Sequence, residues 1–93
     1  MEIHEIQKLL TKKKFNPYID IDNAEGVLIH LFEEVGELAR AYRKKEKKEI
    51  EYECADVFIL LCFYASAVHV NLEKAVHDKI ALNIQTGKFR GMI

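Results

Sequence analysis

Four acidic residues of this chain fall into two pairs, Glu34 with Glu37 and Glu53 with Asp56, each spaced one helical turn apart. Carboxylates at i, i+3 on a helix are neighbours and repel each other. Both pairs stand next to apolar residues, so they also lose part of their hydration. A purely structural helix gains nothing from such an arrangement, whereas a divalent cation relieves both costs. Hard oxygen donors of this kind select Mg²⁺ or Mn²⁺ over zinc. No His stands at a matching ligand spacing and no E-x-x-H occurs, which argues against a di-iron carboxylate bundle. One E-x-x-E on a helix surface is common and usually just solvated. Two pairs at core boundaries are much harder to assign to chance.

The elements that must position these groups follow from the apolar periodicity. Leu28, Leu31, Val35, Leu38 and Tyr42 fall at helical spacing, with Val27, Phe32 and Ala39 on the margins of the same stripe. This predicts a helix from about Asn23 to Tyr42, opened by a capping box at Asp22–Glu25. On it Glu34 and Glu37 lie on one flank of the buried face with His30 just behind them, while Glu33 and Arg40 point to solvent. Gly36, inside this helix, costs about 1 kcal/mol against Ala and suggests the close approach of another backbone or a ligand. Residues 50–69 predict a further helix, apolar nearly all round from Cys54 to Val68, with Asp56 and Ser66 as its polar interruptions. It is too short in apolar length to span a bilayer, which makes it the buried centre of a bundle. Glu49 falls on the same flank as Glu53 and Asp56. The charged segment from Arg43 to Glu51 holds the turn between these two helices. If they pack antiparallel, the two acidic pairs face each other across a groove.

Two more helices complete the reading. Residues 2–14 form a short amphipathic one, with Ile3, Ile6, Leu9 and Leu10 inward and Lys12, Lys13 and Lys14 as a solvated end. Phe15 to Ile21 is a loop broken at Asn16-Pro17, apolar enough to pack over the bundle end or wall a pocket. Asn71 caps a last helix from Leu72 to about Gln85, with Leu72, Ala75, Val76, Ile80 and Leu82 as its inward arc. Lys79 and Asn83 project from the middle of that arc. An inward Lys either snorkels, pairs with a carboxylate or serves a ligand.

With apolar residues at 49%, charged residues at 31% and a net charge of −1, residues 1–93 read as one globular domain with no need of a nucleic acid polymer or an anionic membrane. Cys54 and Cys62 sit eight residues apart on one helix, roughly 12 Å by helical rise, too far to bridge. No signal-peptide pattern opens the chain. Both points suit a cytoplasmic protein. The central helix is apolar on more sides than its short partners can cover, which predicts an obligate homo-oligomer.

The motifs Glu34-Val-Gly-Glu37-Leu, Glu53-Cys-Ala-Asp56-Val, Asn71-Leu-Glu-Lys-Ala, and Lys79 with Asn83 resemble the MazG-like, all-α nucleotide pyrophosphohydrolases over about residues 22–85. The resemblance implies a four-helix fold assembling as dimers or tetramers. It also implies hydrolysis of (d)NTP between the α and β phosphates to a monophosphate and pyrophosphate, in nucleotide-pool house-cleaning. By it, Glu34, Glu37, Glu53 and Asp56 are Mg²⁺ ligands, and Lys79 and Asn83 contact the phosphates; His30, just behind the acidic pair, is expected as a further substrate-binding residue. Glu37 would orient or deprotonate the attacking water. Relatives often carry an Arg three residues after the Asn. Here Thr86 stands in that place, with Lys88 or Arg90 as replacements. Two other readings compete: a phosphoribosyl-ATP pyrophosphohydrolase of histidine biosynthesis, and a non-catalytic helical interaction module whose acids are merely solvated.

Overall fold

A computed structural model describes residues 1–10, 12 and 20–88. The described residues form four helices: α1 Ile3–Leu10, α2 Ala24–Lys44, α3 Lys47–Ala67 and α4 Leu72–Gln85. The fold is all-α, as the periodicity requires. Most of the Phe15–Ile21 loop, together with Lys13, Lys14 and Arg90, lies outside the described residues.

The centre of the molecule is the α2–α3 hairpin. Only Lys45 and Glu46 separate its helices, a link so short that they must run antiparallel. The charged segment expected as the turn is therefore almost wholly helical. Its Lys and Glu residues are good helix formers without Gly or Pro, and pairs such as Lys48–Glu51 at 3.3 Å continue the helix surface. Lys45 alone takes the left-handed conformation that reverses the chain (φ 58°), and its N–H donates to the Tyr42 carbonyl. At the other end of the hairpin Val27 packs against Leu60 and Phe63, with Leu10, Ile21, Leu31 and Tyr64 around them.

The cap of α2 is Asn23, not Asp22: its side-chain oxygen accepts from the Gly26 N–H at 3.1 Å. Gly26 makes room for that cap, since a Cβ there would come within 2.6 Å of the Asn23 amide nitrogen. Gly36 differs from expectation. Outside its own helix turn no described atom lies within 4 Å of where its Cβ would be, so no other described element approaches it closely.

Helix α4 has the expected span and cap, with Asn71 accepting from the Lys74 N–H at 3.1 Å. It leaves α3 at a bend of 103°. Gln7 of α1 holds this corner. Its amide nitrogen donates to the Val70 carbonyl at 2.9 Å and to Ser66 Oγ at 3.3 Å, and its oxygen accepts from the Leu72 N–H at 2.9 Å. His4 adds a 2.8 Å contact from Nδ1 to Glu73. The α4 helix thus packs on α1, and its expected inward arc is not covered. Val76, Ile80 and Leu82 are exposed, and among α4 residues only Asn83 is buried. Helix α3 is likewise buried on one side, through Leu60, Cys62, Phe63 and Ala65, and leaves Phe58, Ile59 and Leu61 partly open. It is not enclosed all round. No single described helix is long and apolar enough to cross a membrane.

Candidate functional site

The antiparallel hairpin sets Glu34 of α2 opposite Glu53 and Asp56 of α3. The same register that brings Val27 to Leu60 carries Glu34 to this position, two turns further along α2. One carboxylate oxygen from each of the three lies within 4.8 Å of the others. Glu34 and Glu53 are half-buried and Asp56 is exposed. Asp56 therefore opens to solvent instead of being sealed in an apolar helix, because the side of α3 that carries it is uncovered.

Glu53 holds the tightest position. Its Oε2 is buried and has no hydrogen-bond partner among the described residues. Loss of hydration, above all, raises its pKa. The adjoining Glu34 carboxyl and the charges of Asp56 and Glu37 push it in the same direction. An orphaned carboxylate oxygen beside two further carboxylates is a poor resting state for protein atoms alone. It is a good one for a hard divalent cation, which uses all three oxygens and cancels their repulsion.

Glu37 stands apart from this trio. It is exposed, with Oε2 3.7 Å from Arg40 Nη1, yet its charge is felt at Glu53. His30 lies one turn before Glu34, with Nε2 3.5 Å from Glu34 Oε1. The H-x-x-x-E spacing places both side chains on one helix face, but His30 is not among the groups whose ligand atoms converge. His30, Glu34, Asp56, Ile59 and Leu60 line a cleft of about 190 Å³, so one wall is charged and the floor is apolar.

The remaining expected site residues are not brought here in a single chain. Lys79 is exposed and Asn83 is buried, both on α4, and neither lines the cleft. Thr86, where relatives often carry Arg, ends α4 instead: its hydroxyl donates to the Leu82 carbonyl at 3.0 Å. Lys88 is exposed. Glu49, expected on the acidic flank, shares a hydrogen bond with Glu46, which raises the Glu46 pKa. A second group, Glu2, His4 and Glu5, is exposed, and its imidazole is already engaged by Glu73.

No curated protein and no solved structure matches the chain. The family model of the MazG nucleotide pyrophosphohydrolase domain matches residues 23–84, which hold the α2–α3 hairpin and nearly all of α4.

Proposed function

Since the chain belongs to the MazG nucleotide pyrophosphohydrolase family, we propose that it is a metal-dependent enzyme that hydrolyses nucleoside triphosphates to a monophosphate and pyrophosphate. One observation carries the reading: Glu34, Glu53 and Asp56 converge from two helices, with a buried Glu53 oxygen that has no hydrogen-bond partner among the described residues. These three carboxylates would hold a divalent cation, Mg²⁺ or Mn²⁺. Such an ion polarises the phosphate oxygens and lowers the pKa of water. The protein groups do the rest. Glu37, exposed and loosely held by Arg40, is the carboxylate free to orient the attacking water and take its proton. Ile59 and Leu60 keep the floor of the cleft apolar, and His30 walls the side at which the triphosphate enters.

Lys79, exposed on α4, contributes a phosphate contact from a second copy of the chain. In one chain α4 packs on α1 and carries an uncovered apolar arc, which is the surface an assembly would bury. The radius of gyration, 15.1 Å, exceeds the roughly 12 Å of a compact chain of this length, as expected of a protomer shaped by its partner. We therefore read a homo-oligomer, a single domain per chain, acting on the cytoplasmic nucleotide pool as a house-cleaning enzyme.

The test is a pyrophosphate-release screen across NTPs, dNTPs and phosphoribosyl-ATP, with Mg²⁺, with Mn²⁺ and with chelator. Release from NTPs or dNTPs that chelator abolishes and Glu53→Gln removes is the expected result. Release from phosphoribosyl-ATP alone would move the chain to histidine biosynthesis. No release from any substrate would leave it a helical interaction module.

A further inference from the structure

The cleft contains one group that an all-oxygen cation site does not need, the imidazole of His30. Its Nε2 lies 3.5 Å from Glu34 Oε1, longer than an N–H···O hydrogen bond of ordinary strength. The imidazole is therefore not tightly occupied in holding the carboxylate. Neighbouring ligands of an octahedral ion with bonds of about 2.1 Å stand roughly 3 Å apart, which is close to the spacing of His30 and Glu34. The imidazole borders the same cleft as Glu34 and Asp56. It lies outside the carboxylate trio itself, so its ring must swing toward Glu53 and Asp56 to share their ion. Its side chain is 44% exposed, so it is free to turn without disturbing the core.

We propose that His30 is a nitrogen ligand of the cation held by Glu34, Glu53 and Asp56, which gives this chain a preference for first-row transition ions such as Mn²⁺ or Co²⁺ over Mg²⁺. The inference rests on the cation reading of the cleft. Carboxylate oxygens suit Mg²⁺ and Mn²⁺ alike, whereas imidazole favours the transition metals, because Mg²⁺ takes oxygen donors and keeps its waters. A single His added to three carboxylates therefore alters selectivity more than it alters charge. A mere outer partner of Glu34 would behave differently: removing it would weaken every metal by a similar factor.

Two measurements decide the matter, and neither needs turnover. Pulsed EPR of Mn²⁺ bound to the wild-type chain reads directly coordinated ¹⁴N, and calorimetry compares Co²⁺ with Mg²⁺ affinity in the wild type and in His30→Gln. The expected result is a ¹⁴N coupling in the wild type that His30→Gln abolishes. With it should come a loss of Co²⁺ affinity of about tenfold or more, and Mg²⁺ affinity within about threefold of the wild type. Bound Mn²⁺ without nitrogen coupling overturns the role of His30 and leaves the carboxylate site standing. So does an equal loss for both metals. Failure of Mn²⁺ to bind at all overturns both. The wild-type spectrum is decisive by itself, even if the variant folds poorly.

Discussion

Replacing Gln7 tests whether the short first helix sets the direction of α4. The side chain is 8% exposed and joins three chain segments at the α3–α4 corner, through bonds of 2.9 Å to the Val70 carbonyl, 2.9 Å from the Leu72 N–H and 3.3 Å to Ser66. Gln7→Met keeps the length and most of the volume and removes every one of these bonds. The Ser66 hydroxyl can turn elsewhere, but the Val70 carbonyl and the Leu72 N–H are left facing a thioether. Each unmet backbone group costs about 1–3 kcal/mol where water cannot reach it. Partial access at this corner favours the lower half of that range, for a total of roughly 2–4 kcal/mol. For a domain of this size that corresponds to a fall in Tm of about 10–25 °C. Gln7→Glu refines the test, because it keeps an acceptor for Leu72 N–H but sets a carboxylate oxygen against the Val70 carbonyl. It should be destabilised at neutral pH and recover as the carboxyl protonates. Thermal melts at fixed protein concentration, with amide exchange read at Leu72, measure both effects. A Gln7→Met melt within about 2 °C of the wild type would show that the corner is held by something else.

The remaining predictions concern charge and the site. Glu53 binds its proton more tightly in the folded, metal-free chain than in the unfolded one. Stability without metal should therefore rise as pH falls from neutral through its raised pKa toward the ordinary carboxylate range. Glu53→Gln should flatten that rise, raise the metal-free Tm and abolish stabilisation by Mg²⁺ or Mn²⁺; an unchanged pH profile would count against the cluster. The pair between His4 and Glu73 has the opposite pH logic: the hydrogen bond raises His4 and lowers Glu73. Its contribution should be fullest between the ordinary Glu and His values, lost at higher pH as His4 deprotonates and at lower pH as Glu73 protonates, and Glu73→Gln should remove both limbs from pH-dependent melts. Lys79→Ala should cut turnover strongly while calorimetry still shows metal binding. Mixed one-to-one with Glu53→Gln, it should recover about a quarter of wild-type activity if each cleft of a dimer takes Lys79 from the other chain, and nothing if it does not.

Much of this structure is legible in the sequence where the physics is local. Asn71 and the apolar periodicity after it are enough to define α4, because an N-cap side chain and its target N–H lie within one turn. The acidic cluster is legible in part for a related reason: i, i+3 pairs need only helical geometry, and Glu34, Glu53 and Asp56 do meet while Glu37 stands apart. The α2–α3 turn is not, because charge is no break signal; only Lys45, left-handed, and Glu46, extended, leave the helical region. Gln7 gives no signal at all. A glutamine on a short helix looks like any solvated residue until the chain brings a carbonyl and an N–H to it from more than sixty residues away.

Helix α4 shows where periodicity stops being informative. It reports that a face will be buried, but not in which molecule that face will find its cover. Leu72, Ala75, Val76, Ile80 and Leu82 mark one arc, and Lys79 with Asn83 fall within it. Within one chain Val76, Ile80 and Leu82 remain exposed. So does Lys79, while the carboxylates it is expected to serve sit in a cleft walled by α2 and α3. The phase of Lys79 and its exposure conflict only if the protomer is the whole functional unit. If the arc is buried against a second copy, the same residue is inward in the assembly and outward in the chain. An apolar arc of that kind carries a Lys at its centre at little gain in stability, so under the proposed assembly the cation is expected to have a use at the covering face. The nearest use on this protein is a phosphate held at the carboxylates of another protomer, which is why the mixed-variant experiment, more than either variant alone, tells a shared site from a solvated lysine.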